Sequence, residues 1–443
     1  MKWFAFIVSL LFAVSLQAAN WPQFRGPNAS GQIDGPAAPT AWNVETGENI
    51  RWRTPVPGLS HASPIIWGGR VFVATAVKPG ESELKVGLYG SIGSVNESEP
   101  NQWRLFALDL ASGKVLWNTS ALESIPCVKR HPKATHCNST PATDGTAIVA
   151  LFGSEGLFCF DMDAKLRWKK DLGPMDSGYF QSKSAQWGFA SSPVIHDGKV
   201  IVQCDVQTNS FLAVFALADG RELWRTPRQD VPTWSTPTVA TAAGRTQILI
   251  NGWHHTGGYD FATGKELWKL DGGGDIPVPT PVVAHGFAYF TSAHGRFRPF
   301  RAVRLDATGD ITPPEVGSTN AAIAWAHARQ GNYMQTPIVV GDFIYGCTDA
   351  GIVTCFDAKK GDIRYSERLV QGGQGFTASP VSDGWHLYFS SELGDIFVLP
   401  VGDKFSITAT NRMGETCMAT PAMSDGALIS RTRGQLVAIG AKP

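Results

Sequence analysis

The chain alternates short apolar runs with glycine-bearing polar turns, and this pattern predicts β-strands from about residue 50 onward. In one stretch, Pro193 to Ile195 begins a strand, Asp197-Gly198 makes a tight turn, and Lys199 to Gln203 forms the next strand. Phe211 to Leu217 and Arg221 to Trp224 follow as two more strands. Short β-branched and aromatic runs between glycine turns are typical of antiparallel meanders. The sequence therefore predicts a four-stranded unit, whose strands we name A to D.

A dipeptide of Ser or Thr followed by Pro opens this unit eight times. The dipeptides are Ser63-Pro64, Thr140-Pro141, Ser192-Pro193, Thr236-Pro237, Thr280-Pro281, Thr336-Pro337, Ser379-Pro380 and Thr420-Pro421. The last six stand 44, 44, 56, 43 and 41 residues apart, which is the spacing of a repeat array. Six of the eight residues that lie two positions before the Pro are Ala or Ser, which suits an innermost strand crowded around an axis.

An aromatic residue recurs near the end of strand D, where it suits packing between neighbouring sheets. These residues are Trp117, Trp168, Trp224, Trp268, Trp325 and Tyr365. Radial repetition of four-stranded sheets is a β-propeller. We therefore predict an all-β fold, an eight-bladed β-propeller of four-stranded antiparallel blades. The eighth repeat ends near Gly440 without room for a strand D, so we expect the strand from Asn49 to Val56, with Trp52 at its centre, to complete the last blade.

The predicted organisation is a signal peptide at residues 1–19, an N-terminal strap on the surface at residues 20–48, and the propeller at residues 49–443. Lys2 precedes a 13-residue, mostly apolar run from Phe4 to Leu16 that ends in Gln17-Ala18-Ala19. Such a run is too short to span a bilayer and is typical of a cleaved secretory signal. The first cysteine is Cys127, so the cleavage site offers no thiol for a lipid anchor. We expect an exported protein, periplasmic or secreted, with no membrane span.

The charge of the chain bears on whether it binds nucleic acid. The 443-residue chain carries 38 basic and 38 acidic side chains and no clustered Lys/Arg run, which argues against nucleic acid as a partner. The repeat also bears on the number of domains. One repeat extends over nearly the whole chain, so the sequence favours a single large unit over two or three domains. We expect this unit to be a monomer.

Two cysteines and two histidines bracket one polar loop, and they allow two interpretations. Cys127 and Cys137 are candidates for a disulfide, which an oxidising compartment permits. His131 and His136 lie between them, so four metal-ligand residue types fall within 11 residues. The close cysteine pair usual in zinc sites is absent. We therefore favour the disulfide and treat the two histidines as weak metal candidates.

The repeat carries Thr-Pro, a glycine turn, Leu-x-x-Leu-Asp, Thr-Gly-Lys and Leu-Trp, as in Tyr259 to Trp268 and Leu105 to Trp117. This pattern resembles the pyrroloquinoline-quinone (PQQ) repeat propellers, over nearly all of the mature chain. That family includes quinoprotein alcohol dehydrogenases and the non-enzymatic outer-membrane-protein assembly propeller. The opening Trp21 to Pro27 resembles exported bacterial members of unknown role. The resemblance specifies the fold well and the function poorly.

Because strands alternate in direction, the D–A and B–C loops share one face of the ring, and several of them are long. We expect function on that face. Aromatic residues beside a few polar groups in the D–A loops suit a planar cofactor or a sugar, or would fill the channel. The candidates there are His61, Trp187, Trp234, Tyr333, Met334, Gln335, Phe376 and Glu415.

Two further candidates lie in B–C segments. His254 is followed by His255 in blade 4, and the alternative interpretation is a pair of polar turn residues. The B–C segment of blade 5 carries a further set, His294, Arg296, Arg298 and Arg301. Arg296 and Arg298 would share one side of a strand, where they would clamp a carboxylate or phosphate. Solvated edge charges that discourage strand pairing are the alternative for these arginines.

The resemblance implies that a quinoprotein dehydrogenase would hold PQQ with a vicinal Cys-Cys disulfide, a Trp platform and calcium bound by Glu, Asn and Asp, beside an Asp base. No two cysteines are adjacent here, and the D–A loops offer chiefly Glu415 and Asp275 as carboxylates. We therefore expect a non-enzymatic binding or scaffolding module without a cofactor, which docks a protein partner, small ligand or glycan. The alternatives are a PQQ- and calcium-dependent alcohol or sugar dehydrogenase with a divergent site, and carbohydrate binding.

Overall fold

The computed structural model describes residues 19–80, 84–88, 92–182 and 184–442. The predicted signal peptide lies, except for Ala19, outside the described residues. The described part of the chain forms eight antiparallel sheets with two 3-10 turns, at Pro27–Ala29 and Gly153–Glu155. It contains no helix that is long and apolar enough to cross a bilayer. The prediction of an eight-bladed, all-β propeller is confirmed.

Each blade runs from an inner strand A to an outer strand D. Blade 1 consists of Ile65–Trp67, Arg70–Val77, Asn101–Asp109 and Val115–Ser124. Blade 2 consists of Ala142–Thr143, Ala147–Leu151, Leu157–Asp161 and Leu166–Lys170. Blade 3 consists of Val194–His196, Lys199–Cys204, Phe211–Ala216 and Glu222–Pro227. Blade 4 consists of Thr238–Ala242, Arg245–Ile250, Thr256–Asp260 and Glu266–Leu270.

The second half of the ring repeats this plan. Blade 5 consists of Val282–Ala284, Phe287–Thr291, Phe300–Arg304 and Ile323–His327. Blade 6 consists of Ile338–Val340, Phe343–Cys347, Ile352–Asp357 and Ile363–Arg368. Blade 7 consists of Val381–Ser382, His386–Ser390, Asp395–Pro400 and Ala409–Arg412. Blade 8 consists of Ala422–Ser424, Ala427–Arg431 and Gln435–Ile439, completed by Ile50–Pro55.

The two ends of the chain close the ring, as predicted. Ile50–Pro55 pairs antiparallel with Gln435–Ile439, so that Trp52 stands opposite Ala438 and Thr54 opposite Leu436. The only blade with a fifth strand among the described sheets is blade 4, which gains Gly309–Asp310. This short strand comes from the long C–D insertion of blade 5 and pairs in parallel with strand D of blade 4.

The recurring Ser/Thr-Pro dipeptide forms a collar of hydroxyl groups around the axis. In seven successive blade junctions, the backbone N–H of one Ser or Thr donates to the side-chain hydroxyl of the equivalent residue in the next blade. These bonds run from Ser63 through Thr140, Ser192, Thr236, Thr280, Thr336 and Ser379 to Thr420, at 2.9–3.3 Å. The hydroxyl of Ser63 has no hydrogen-bond partner, so among the described residues the collar is interrupted between blades 8 and 1.

Tryptophans of strand D pack against the next blade at several junctions, which is the packing that their recurrence predicts. Trp168 Nε1 donates to Leu217 O at 2.8 Å, and Trp224 Nε1 donates to Phe261 O at 3.2 Å. A Cβ added to Gly264 would lie 2.4 Å from the Trp224 ring, so the C–D turn of blade 4 needs glycine there for contact as well as for its φ of 72°. These contacts bury a large ring at each such junction between blades.

Residues 20–33 differ from the strap that we expected on the surface, because they cross the axis and close one end of the channel. Trp21 and Ile66 exchange backbone hydrogen bonds at 2.8 Å, and Trp21 is fully buried. The guanidinium of Arg25, also fully buried, donates to Pro337 O at 2.9 Å and Pro380 O at 3.0 Å. Gly31 O then accepts from Ser382 N in blade 7. Since blades 1, 6 and 7 all bind this segment, we call it the axial plug.

The axial plug lies on the face that carries the A–B and C–D turns, since it contacts Ser382, the last residue of its strand A, and Ile66, one residue before the end of its own strand A. Its Pro- and Gly-rich sequence, Trp21 to Gly31, cannot continue a β ladder, which leaves it free to turn into the channel. The opposite face, with the D–A and B–C loops, keeps the channel mouth.

Candidate functional site

The mouth of the channel opens into a mainly apolar cavity of about 190 Å³ on the D–A/B–C face. We call it the axial cavity. Phe24 of the axial plug forms its floor, and hydroxyl groups of the collar, such as that of Ser192, line it. Trp187, Trp234 and Met334 contribute from D–A loops of three different blades. No Asp or Glu occurs among its described lining residues.

Aromatic rings in contact with one another line the mouth. Trp187 stacks on Tyr179 with 5.9 Å between ring centroids and an interplanar angle of 8°, and it also contacts Trp234 at 5.8 Å. The indole N–H of Trp234 donates to Gly188 O at 2.7 Å, which fixes the orientation of that ring. Half-buried aromatic groups with anchored polar atoms are suited to holding a ligand that has both apolar and polar surface.

A second cavity of about 370 Å³ adjoins the first and shares Trp187 and Tyr333 with it. We call it the side chamber. Its polar groups come from the B–C segments of blades 5 and 6, namely His294, Arg298 and Asp349. Burial, with the nearby Asp349 carboxylate, raises the pKa of Tyr333 above its usual range. The side chamber therefore combines aromatic walls with charged and polar side chains.

A hydrogen-bonded group of three side chains forms one wall of the side chamber. His294 Nδ1 lies 2.6 Å from Asp275 Oδ1, and the Tyr179 hydroxyl donates to Asp275 Oδ2 at 3.4 Å. Burial, with the Asp275 carboxylate, raises the pKa of Tyr179. His294 has a φ of 76°, a left-handed conformation that costs a residue other than glycine roughly 1–2 kcal/mol. The surrounding contacts hold His294 in this position against that cost.

Two ion-pair groups anchor the loops around the mouth. Lys133 Nζ lies 2.7 Å from Glu392 Oε1, and both side chains are almost entirely buried. Glu392 also accepts from Gly87 N, so this pair joins the loops of blades 1, 2 and 7. Glu97 pairs with Arg130 at 2.8 Å and lies 3.4 Å from His136 Nε2. Two charge groups thus connect the loops around the mouth.

Eight of the residues that the sequence singled out line a cavity. His61, His131, Trp187, Trp234, Tyr333 and Met334 line the axial cavity, and His294 and Arg298 line the side chamber together with Trp187 and Tyr333. His61 Nε2 donates to Lys133 O at 2.7 Å, and burial lowers the pKa of the His61 ring. The structure brings these residues together although they come from six separate loops of the ring.

Three candidates from the D–A loops have other surroundings. Gln335 is fully buried, and its amide donates to Phe376 O and to Thr348 O. Phe376 packs into a hydrophobic core with Phe397, at 5.9 Å between ring centroids. Glu415 accepts from Thr432 and from the backbone N–H of Gly434, so it closes the B–C turn of blade 8. None of the three lines either cavity in the described part of the chain.

The remaining B–C candidates lie outside both cavities. His254 is exposed beside Asp271, with 3.4 Å between Nδ1 and Oδ1. Arg296 is exposed and lies over the ring of Phe297, at 5.1 Å from its centroid. Residues 294–296 form a bend rather than a strand, so Arg296 and Arg298 do not share one side of a strand as predicted. The clamp from two arginines is therefore not formed.

The predicted disulfide is also not formed, and both cysteines carry free thiols. Cys127 is exposed, and its backbone N–H donates to Glu155. Cys137 is buried in the core between blades 1 and 2, and burial raises the pKa of its thiol to about 12. The two histidines of this loop separate as well, because the His131 ring packs against Trp187 at 5.5 Å whereas His136 faces Glu97. No group of three or more metal-ligand side chains occurs among the described residues.

Several residues of the site escaped the sequence analysis. Tyr179, Lys133, Asp349 and Phe24 line the cavities or hold their walls, and none was chosen as a candidate. The Tyr179-Phe180 pair in the long D–A loop before blade 3 was the signal that could have pointed to the first of them. Asp349 and Lys133 resemble ordinary loop charges in sequence, so only the tertiary structure singles them out.

A closed ring of eight four-stranded blades built from this repeat defines a PQQ-like β-propeller. The chain belongs to the family described as outer membrane protein assembly factor BamB, whose family model matches residues 101–367. No curated protein sequence matches the chain.

Two solved structures are similar to it. BamB from Moraxella catarrhalis superposes with a TM-score of 0.55 at 14% identity, covering 83% of this chain and 100% of that one. A europium-containing methanol dehydrogenase superposes with a TM-score of 0.57 at 11% identity, covering 95% of this chain and 89% of that one. At these identities the likeness shows a shared fold, and one neighbour is an enzyme whereas the other is not named as one.

Proposed function

We propose that this chain is an exported, non-enzymatic binding module that docks its partner on the D–A/B–C face, with the axial cavity as an anchoring pocket. The observation that carries the proposal is the asymmetry of the channel, which the axial plug closes at one end and half-buried aromatic rings line at the other. Membership of the BamB family supports a scaffolding role in the cell envelope.

The donor set of the axial cavity supports binding over quinone chemistry. Calcium in proteins takes six to eight oxygen ligands, among them carboxylates, and the described lining of the axial cavity contains no Asp or Glu. No two cysteines are adjacent in the chain, so the vicinal disulfide is also missing. The residues present therefore do not fit PQQ with calcium in the manner that the resemblance implies.

One exposed apolar residue beside the mouth and one on the opposite face allow the proposal to be tested. Leu393, in the B–C turn of blade 7, is 51% exposed next to the buried Glu392. Trp385, in the A–B turn of the same blade, is 68% exposed on the opposite face. Both are large apolar residues on one blade, so they make a matched pair for probing the two faces.

The test is in-cell photo-cross-linking with benzoylphenylalanine placed at Leu393 or at Trp385. We expect a discrete cross-linked partner from position 393 and none from position 385, and Trp234→Ala in the axial cavity should weaken the cross-link at 393. Equal cross-linking from both positions, or none from 393, would contradict the proposal.

The quinoprotein alternative has its own measurement. Purified protein is titrated with PQQ and calcium while the quinone absorbance and the reduction of an electron-accepting dye are followed. We expect neither a saturable change in absorbance nor dye reduction. A saturable 1:1 signal together with dye reduction would overturn the binding-module proposal in favour of a dehydrogenase.

A further inference from the structure

We propose that the side chamber binds a neutral saccharide, with a sugar ring against its aromatic wall and the sugar hydroxyls on Asp349 and Arg298. This inference rests on the proposed function, because the ligand would enter from the same D–A/B–C face, and it adds the chemical class of that ligand. The chamber's volume of about 370 Å³ lies within the range of small-ligand pockets.

The wall offers the apolar half of such a site. Tyr179 stacks on Trp187, and His294 stacks on Tyr333 with 5.8 Å between ring centroids and an interplanar angle of 29°. The two stacks adjoin where Tyr179 meets His294 edge to face, at 5.7 Å and 80°. Flat rings of this kind pack against the C–H surface of a pyranose and leave its hydroxyl edge for polar groups.

The charges of the chamber decide between a neutral and an anionic ligand. Arg298 is the one cation that lines it among the described residues, and the carboxylates of Asp349 and Asp275 lie on or behind its walls. The lining therefore holds one positive and one negative formal charge, which gives an anionic ligand no net electrostatic attraction. A neutral ligand with many hydroxyls can use both groups.

The hydrogen-bonding capacity of the chamber matches hydroxyl groups. Neither Arg298 nor Asp349 forms an ion pair with any described side chain. A carboxylate only accepts hydrogen bonds and a guanidinium only donates them, whereas a sugar hydroxyl does both. Neighbouring hydroxyls can therefore satisfy Asp349 and Arg298 at once, and the planar guanidinium can bind two oxygens side by side.

His294 adds a third polar group whose orientation is fixed. His294 Nδ1 lies 2.6 Å from Asp275 Oδ1, and in the tautomer that donates from Nδ1 to this carboxylate, Nε2 would accept a hydrogen bond from another hydroxyl. The left-handed backbone of His294, with φ of 76°, shows that the fold holds this ring in place despite an unfavourable conformation. A binding site benefits from groups that are positioned before the ligand arrives.

The test uses the purified full-length exported protein on an array of neutral trisaccharides, maltotriose, cellotriose, mannotriose and galactotriose, with trigalacturonate as the anionic counterpart. The best ligand is then titrated by calorimetry. We expect saturable 1:1 binding of at least one neutral trisaccharide and weaker binding of trigalacturonate. Preference for trigalacturonate, or no saturable binding of any neutral trisaccharide, would overturn the inference.

Three variants locate the site. Asp349→Asn and Arg298→Gln should each weaken binding at least tenfold, because each removes a group that pairs with sugar hydroxyls. Arg296→Gln is the matched control, since Arg296 is an exposed arginine two residues away that lines neither cavity; it should bind as the unaltered protein does. The assignment would be contradicted if all three variants lost saccharide affinity to the same extent, or if none of them lost any. Thermal unfolding of each variant shows whether the fold is retained.

The result of the saccharide test can be distinguished from the result of the cross-linking test of the proposed function. If no saccharide binds while position 393 still cross-links a partner, this inference fails and the docking proposal stands. If a saccharide binds and position 393 yields no cross-link, the chamber is a saccharide site and the docking proposal fails.

Discussion

The two ends of the axial channel are built from opposite kinds of interaction. At the A–B/C–D end, Trp21 is fully buried, and among the described residues the Arg25 guanidinium donates only to backbone carbonyls such as Pro337 O. At the D–A/B–C end, the loops are joined by ion pairs between carboxylates and Lys133 or Arg130. Apolar packing and backbone hydrogen bonds close one end of the channel, whereas ion pairs connect the loops around the open end. The difference indicates that the closed end serves stability and the open end serves binding.

The largest effect that we predict separates the two ends by stability. Trp21→Ala should lower the free energy of unfolding by about 3–5 kcal/mol, because it empties a fully buried ring site in the axial plug. Trp187→Ala at the open end should cost about 1 kcal/mol, since that ring is only half-buried. Denaturant titration followed by far-UV circular dichroism measures both. Equal losses would mean that the two ends contribute alike.

Breaking the ion pair at the mouth should have the next largest effect. Glu392→Ala removes the acceptor of Lys133 Nζ and of Gly87 N, and we expect a loss of about 2–3 kcal/mol because the pair is nearly buried. Glu222→Gln is the control, because Glu222 pairs with Arg225 at the same 2.7 Å but on the surface. It should change stability by less than about 0.5 kcal/mol. A similar small change for Glu392→Ala would show that the mouth does not depend on this pair.

Acid should loosen the open end before the closed one. The neighbouring His136 and the Arg130 guanidinium hold the pKa of Glu97 well below its usual range. A carboxyl group with a lowered pKa in the folded state stabilises the protein above its unfolded pKa of about 4.3, and this contribution is lost as the pH falls further. Hydrogen exchange below pH 5 should therefore rise first in residues 92–100 and 127–138.

Glu97→Gln provides the check on that prediction. This variant should be less stable than the unaltered protein at pH 7 and should lose less stability between pH 5 and pH 3. Residues 20–33 of the axial plug contain no comparable pair among the described residues, so their exchange should follow global unfolding. If amide hydrogens of the axial plug exchanged at a higher pH than those at the mouth, the closed end would be the less acid-stable of the two.

The smallest effect concerns the collar between the two ends. Ser192 Oγ accepts from Thr140 N at 2.9 Å, whereas the equally buried Ser63 Oγ has no partner. Ser192→Ala should therefore cost about 1 kcal/mol through the unsatisfied N–H, and Ser63→Ala should be neutral within about 0.5 kcal/mol. Thermal unfolding of the two variants measures the difference. A cost for Ser63→Ala as large as that for Ser192→Ala would show that the collar is continuous.

The repeat by itself determined the fold of this protein. Strand length, glycine turns and the recurrence of Ser/Thr-Pro are local properties, so they could be followed along the sequence to eight blades and to closure by the strand with Trp52. The packing of the strand-D tryptophans was predictable for the same reason. Each repeat needs only its neighbours to bury its apolar surface.

The candidate site was decided by tertiary structure. Sequence placed Trp187, Trp234 and Tyr333 on the correct loops, but it could not distinguish them from Gln335 or Glu415, whose side chains turn into the wall. The position of the axial plug could not be predicted from sequence either, because Arg25 donates to backbone carbonyls 312 and 355 residues away in the chain. A segment without periodicity carries no local signal of what it will contact, and the direction of a loop side chain depends on neighbours that are distant in the chain.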